Sequence, residues 1–192
     1  MITLQQVLSS QSNILENARL KLVRHQDSRQ QYRDVIKDKA QLFEYQRAQP
    51  KDVFKDCDYI VSFIGMAHSQ AVLFGVFRVN GRSVIDGHYD LERVPAFEAL
   101  VDRLVIDWGK SAITWHQWYD RQPKEVVEIL PKGYIGSFEG LLSFVLDYND
   151  LKTLFAHPEA NRDWKHHLSA VNGVYLILDS NTGQQYIGSA CG

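Results

Sequence analysis

Tyr59-Ile60-Val61-Ser62-Phe63-Ile64, followed after a short polar loop by Ala71-Val72-Leu73-Phe74-Gly75-Val76-Phe77-Arg78-Val79, decides the fold of this chain. Both runs are dense in β-branched and aromatic residues, which fit a pleated, packed surface, so they predict an antiparallel hairpin. Downstream, Asn80-Gly81 and Asp86-Gly87 are turn dipeptides, and further strands are expected at Arg103 to Trp108, Ile113 to Trp118 and Glu125 to Leu130, the last closed by Pro131. Upstream, Arg19 to Arg24 alternates as a strand. Ser28 then caps a helical stretch carrying Tyr32, Val35 and Ile36, which runs with breaks to about Gln49 and ends at Pro50. Thr3 is placed to cap a short amphipathic helix with Leu4, Val7 and Leu8 on one face. The expectation is an α+β protein whose centre is a mostly antiparallel unit of five or six strands with flanking helices.

From Phe138 the pattern turns helical, with Leu141, Leu142, Val145 and Leu146 on one face and Leu151, Leu154 and Phe155 following, until His157-Pro158 breaks it. Glu159 to Ser169 reads as a connecting helix with Trp164 and Leu168 apolar. Gly173 to Leu178 and Gln184 to Ile187 read as two short strands around Asp179-Ser180-Asn181-Thr182-Gly183. The domains are therefore drawn as 1–165 and 166–192. Neither an internal repeat nor a low-complexity tract interrupts them.

At 192 residues, with 45% hydrophobic and 11% aromatic content, the chain can bury a substantial core. A net charge of -2 and a pI near 6.4 argue against the broad positive field of a general nucleic-acid binder, so any DNA contact must use a local basic patch. Two cysteines, Cys57 and Cys191, are too few for a disulfide framework or a four-cysteine zinc site. The N-terminus lacks the pattern of a secretion signal, and no apolar run nears the roughly 20 residues that span a bilayer, so a cytoplasmic protein with no membrane role is expected. Ser62, Ser69 and Ser111 have no Gly-x-Ser-x-Gly elbow, Cys57 lies between Asp56 and Asp58, which oppose a thiolate, and no glycine-rich phosphate loop occurs.

One motif carries chemistry. Gly173-Val174-Tyr175, ten residues, then Tyr186-Ile187-Gly188 is similar to the paired-strand signature of the GIY-YIG nucleases, with Val174 in place of the isoleucine. The resemblance covers about a tenth of the chain. It implies that Tyr175 and Tyr186 stand side by side on adjacent antiparallel strands and help to position and deprotonate the water that attacks a DNA phosphodiester. A phenol, with an ordinary pKa near 10, is a poor base alone, so the implied reaction uses magnesium or another divalent metal to acidify the water and absorb charge on the phosphate. The family adds an arginine from the next helix and a glutamate as metal ligand. The chain stops at Gly192 before either, so it is expected to be a truncated hairpin with no metal site and no cofactor of its own, binding DNA without cutting it. An earlier Tyr134-Ile135-Gly136 has no partner at this spacing and reads as a turn.

By analogy with this family, the larger front portion is the target reader, and its short strands with an early helical insertion resemble PUA-like barrels, a group that includes readers of modified bases. Such readers extrude a base, stack it on aromatic side chains and read its edge with polar groups. The candidates for stacking are Trp108, Trp115, Trp118 and Tyr45; those for polar contact are Arg24, His25, Gln46 and Gln49. Each has a plainer use, the tryptophans in core packing and Arg24-His25 in pairing with a carboxylate. His166-His167 beside Lys165 reads as a solvated helix face, since neighbours on a helix diverge too far to chelate a metal. The implied partner is double-stranded DNA, plain or modified. The alternative is a non-catalytic module that binds DNA or a protein.

Overall fold

The computed structural model describes residues 1–26, 35–36, 38–109 and 115–191. They form two compact units, Met1–Leu130 and Pro131–Gly192. The boundary expected after residue 165 falls inside a helix of the second unit. No helix among the described residues is long and apolar enough to cross a membrane.

The first unit is built on one curled, mostly antiparallel sheet. Its strands are β1 (Leu20–His25), β2 (Tyr59–Gly65), β3 (Gln70–Arg82), β4 (Tyr89–Arg93), β5 (Leu104–Asp107), β6 (His116–Trp118) and β7 (Val126–Ile129). The order is β6-β1-β2-β3-β5-β7, with β4 also on β3. The expected hairpin is β2–β3, paired antiparallel from Tyr59↔Arg78 to Gly65↔Ala71. β1 runs parallel to β2, from Leu20↔Tyr59 to His25↔Ile64, a pairing that needs a crossover, and helix α2 (Lys39–Arg47) lies in that connection. The residues of the expected strand and helix that fall on 27–34, 37 and 110–114 lie outside the described ones. Asn80-Gly81 is not a turn. It sits within β3, where the ladder to β4 slips between Val79 and Gly81, so the dipeptide forms a bulge and the strand continues. Asp86-Gly87 does turn, with Gly87 at φ +72°.

The central strands read as continuous apolar runs because both of their faces are covered. Leu22, Val61, Phe63 and Leu73 face one cluster with Phe97, Trp108 and the Leu4 and Leu8 side chains of helix α1 (Leu4–Gln11). Their neighbours Val23, Ile60 and Phe74 face the other, with Leu42 of α2, Phe54 and Tyr89. Each such side chain contributes about 1.5–3 kcal/mol by leaving water. α1 starts as expected: Gln6 N–H donates to Thr3 Oγ1 at 3.3 Å while Gln6 Oε1 accepts from Thr3 N–H at 2.9 Å. Leu4 N–H to Lys124 O and Val126 N–H to Ile2 O, at 2.8 and 2.9 Å, fix the N-terminal segment beside β7.

The second unit contains α3 (Tyr148–Ala156), α4 (Arg162–Ser169) and the hairpin β8 (Gly173–Leu178) with β9 (Gln185–Ala190). The helix expected from Phe138 begins only at Tyr148. Gly136 and Gly140 take φ of +106° and +102°, and side chains of the α4 region hold the backbone of Ile135 to Phe138 instead. Asn161 Oδ1 accepts from Ile135 N–H at 3.0 Å, Asp163 from Phe138 N–H at 2.9 Å, and Trp164 Nε1–H donates to Gly136 O at 2.6 Å. Trp164 is buried against Phe138 and Phe144, while Leu142 and Val145, expected on an inner helix face, lie exposed.

Candidate functional site

Two groupings bring the sequence candidates together, one at the end of β1 and one on the β8–β9 hairpin. In the first, the adjacent Arg24 and His25 point to opposite faces of the sheet, as strand geometry requires. His25 is buried, and its Nε2 lies 2.9 Å from Gln46 Oε1. Gln46 is one turn beyond Leu42 on the buried face of α2 and wholly enclosed. Its Oε1 also accepts from Ser62 Oγ at 2.5 Å, whereas its Nε2 has no hydrogen-bond partner among the described residues. An unmet buried amide of this kind costs about 1–3 kcal/mol. Burial pushes the His25 pKa down to about 4, the Gln46 bond opposing it, so the imidazole is neutral at physiological pH. Its Nε2 proton is then the donor to Gln46.

Aromatic rings stand around this cluster. The Tyr45 ring is 6.0 Å from His25, edge-on, and the Trp115 ring 6.3 Å away, tilted. Both are partly exposed. Gln49 does not reach the cluster: its Nε2 donates to the carbonyls of Tyr45 and Gln46 at 3.0 and 3.2 Å, and so ties down the last turn of α2.

On the opposite face, Trp108 is fully buried and packs against Phe63, so it belongs to the core. Two cations lie against its ring, the Arg24 guanidinium at 5.1 Å and Lys124 Nζ at 5.3 Å from the centroid. Lys124 also donates to Trp108 O at 2.6 Å. Burial lowers the pKa of both cations. Trp118 is separate from both groups. Lys21 Nζ sits 4.4 Å from its ring centroid, and Trp118 itself lines a cleft of about 390 Å³ with Arg19, Tyr119, Asp120 and Arg121. Sequence reading missed Ser62 and Lys124. A serine in an otherwise apolar buried strand was a signal for the first; nothing marked the second.

On the hairpin, Tyr175 pairs with Gly188 and Ile177 with Tyr186, so both tyrosines project from one face, with ring centroids 6.2 Å apart. A Cβ at Gly188 would collide with Tyr175 Oη and Cζ, so the phenol lies across the glycine. Gly173 has open space around it. Both tyrosines are well exposed. Val174 and Ile187 are on the other face, also exposed. Two phenols so placed can donate to a phosphate oxygen or a bound water. Among the described residues, no group of three or more His, Cys, Asp or Glu side chains is placed to hold a metal ion. Two phenols are not by themselves a ligand set for the divalent metal that the resemblance implies.

Compared with protein-family models, with curated proteins and with solved structures, the chain matches none.

Proposed function

We propose that this chain is the DNA-recognition portion of a GIY-YIG-type endonuclease of the restriction kind, in which the first unit, akin to a PUA-like barrel, selects the target, plain or modified, and the hairpin contributes its tyrosine pair to the phosphodiester. The observation that carries this reading is the face shared by Tyr175 and Tyr186, with Gly188 giving room to the Tyr175 ring. That arrangement supplies a physical reason for the tyrosine and the glycine of the motif at their spacing. The gathering of Tyr45, Trp115, His25 and Gln46 at one strand end supports a base-reading role for the first unit.

The experiment is a salt series of binding to a double-stranded oligonucleotide. The logarithm of the DNA affinity should fall linearly with log salt as counterions are released. A chain that binds no duplex even at low salt does not have this function. A protein-binding module, by contrast, would hold a partner with little dependence on salt.

A further inference from the structure

Within the first unit, three polar side chains from three different elements meet inside the otherwise apolar cluster against α2: His25 of β1, Gln46 of α2 and Ser62 of β2. Native structures fill nearly every buried hydrogen-bonding group with protein, water or ligand. Here the amide oxygen of Gln46 is filled twice, by His25 Nε2–H and Ser62 Oγ–H, and the amide nitrogen, with no exposed surface, has no partner among the described residues.

The two bonds on Oε1 orient the amide, so the direction of its bare N–H group is set before any ligand arrives. The Gln49 bonds to the carbonyls of Tyr45 and Gln46 fix the helix turn that carries it. Tyr45 and Trp115 stand 6.0 and 6.3 Å from His25, and both carry exposed surface.

We propose that Gln46 Nε2 is the edge-reading donor of the first unit, taking a ring-nitrogen or carbonyl acceptor of an unpaired, uncharged nucleobase that stacks beside Tyr45 and Trp115. This rests on the DNA-reading role proposed above. A neutral amide held by a neutral imidazole suits a neutral acceptor; a phosphate is met better by a cation. His25 and Ser62 are positioning residues, and Gln46 is the group that touches the base.

The test is the ¹H–¹⁵N spectrum of the full chain, with the Gln46 side-chain resonance assigned by its loss in Gln46→Met. Three titrants are compared: a duplex with one base opposite an abasic site, the same duplex fully paired, and inorganic phosphate. The expected result is a downfield movement of the Gln46 amide protons with the unpaired base and none with phosphate. Gln46→Met should bind that duplex at least about tenfold more weakly, while Ser62→Ala, which keeps the donor, loses less. If the duplex binds and the Gln46 resonance stays in place, the proposal is overturned while the DNA-reading role stands. If no duplex binds, that role fails, and free cytidine and adenosine then decide the proposal alone: movement of the amide resonance upholds the acceptor site, and a resonance still unmoved overturns it.

Discussion

Tyr175 and Gly188 face each other across the β8–β9 ladder, and the phenol ring fills the space that a side chain at Gly188 would need. Gly188→Ala should therefore push the Tyr175 ring away from Tyr186 and abolish nuclear Overhauser contacts between the two rings. Gly173→Ala, with nothing within 4 Å of the added carbon, should leave them intact. Because the hairpin is largely exposed, neither change should shift global stability by more than about 1 kcal/mol. Equal ring contacts in both variants would show that the glycine does not set the pair.

Burial of His25 makes stability depend on pH. Its folded pKa, about 4, lies below the ordinary 6.5, so between these values the unfolded chain binds a proton that the folded chain refuses. The contribution is complete above pH 6.5, is lost as pH falls to about 4, and amounts to roughly 3 kcal/mol over the window. Urea denaturation at pH 7 and pH 4, compared with His25→Phe, isolates it. An identical pH response in the variant would contradict the burial of a neutral imidazole.

The two cysteines should behave differently. Cys57 is buried, its Sγ–H donates to Tyr59 O at 2.8 Å, and desolvation pushes its pKa up to about 11. Cys191 is exposed. At pH 8, one equivalent of thiol per folded chain should react quickly with a disulfide reagent, mapping to Cys191, and the second only after denaturant is added. Fast labelling of both thiols in the folded protein would be incompatible with this packing.

How much of this was legible in the sequence depended on whether a signal was local. The β2–β3 hairpin was readable because both strands carry β-branched and aromatic runs, and α1 because Thr3 precedes its apolar stripe. Asn80-Gly81 misled because the same dipeptide serves a turn or a bulge, and pairing with β4, through Val79↔Leu91 and Gly81↔Asp90, chose the bulge. The expected helix from Phe138 had the right periodicity, but Asp163 takes the Phe138 N–H, and Asn161 and Trp164 bind the backbone of Ile135 and Gly136 just before it, contacts that no local pattern discloses. The same holds at the site. His25 and Gln46 were identified as polar candidates, but their contact joins a strand to a helix 21 residues on, and Trp108 could be assigned to the core only once its burial was known.

That assignment separates fold from recognition. Trp108→Ala should cost about 3–5 kcal/mol of stability, because it empties the core and removes the ring beneath Arg24 and Lys124. Tyr45→Ala, at a residue 40% exposed, should leave the urea midpoint nearly unchanged and weaken DNA binding by about 1–3 kcal/mol if its ring carries a base. Paired denaturation and binding curves for the two variants read both effects. A Tyr45 variant that unfolds early yet binds normally would reverse the assignment.

The central claim is that the first unit reads a base. Its most direct test is the affinity of the full chain for three duplexes of one sequence, carrying cytosine, 5-methylcytosine or 5-hydroxymethylcytosine at a single site, at two salt concentrations. The account predicts that one duplex is preferred and that the preference persists as salt weakens all three together, because phosphate contacts are common to them and base contacts are not. Equal, negligible binding of the three at low salt would contradict it.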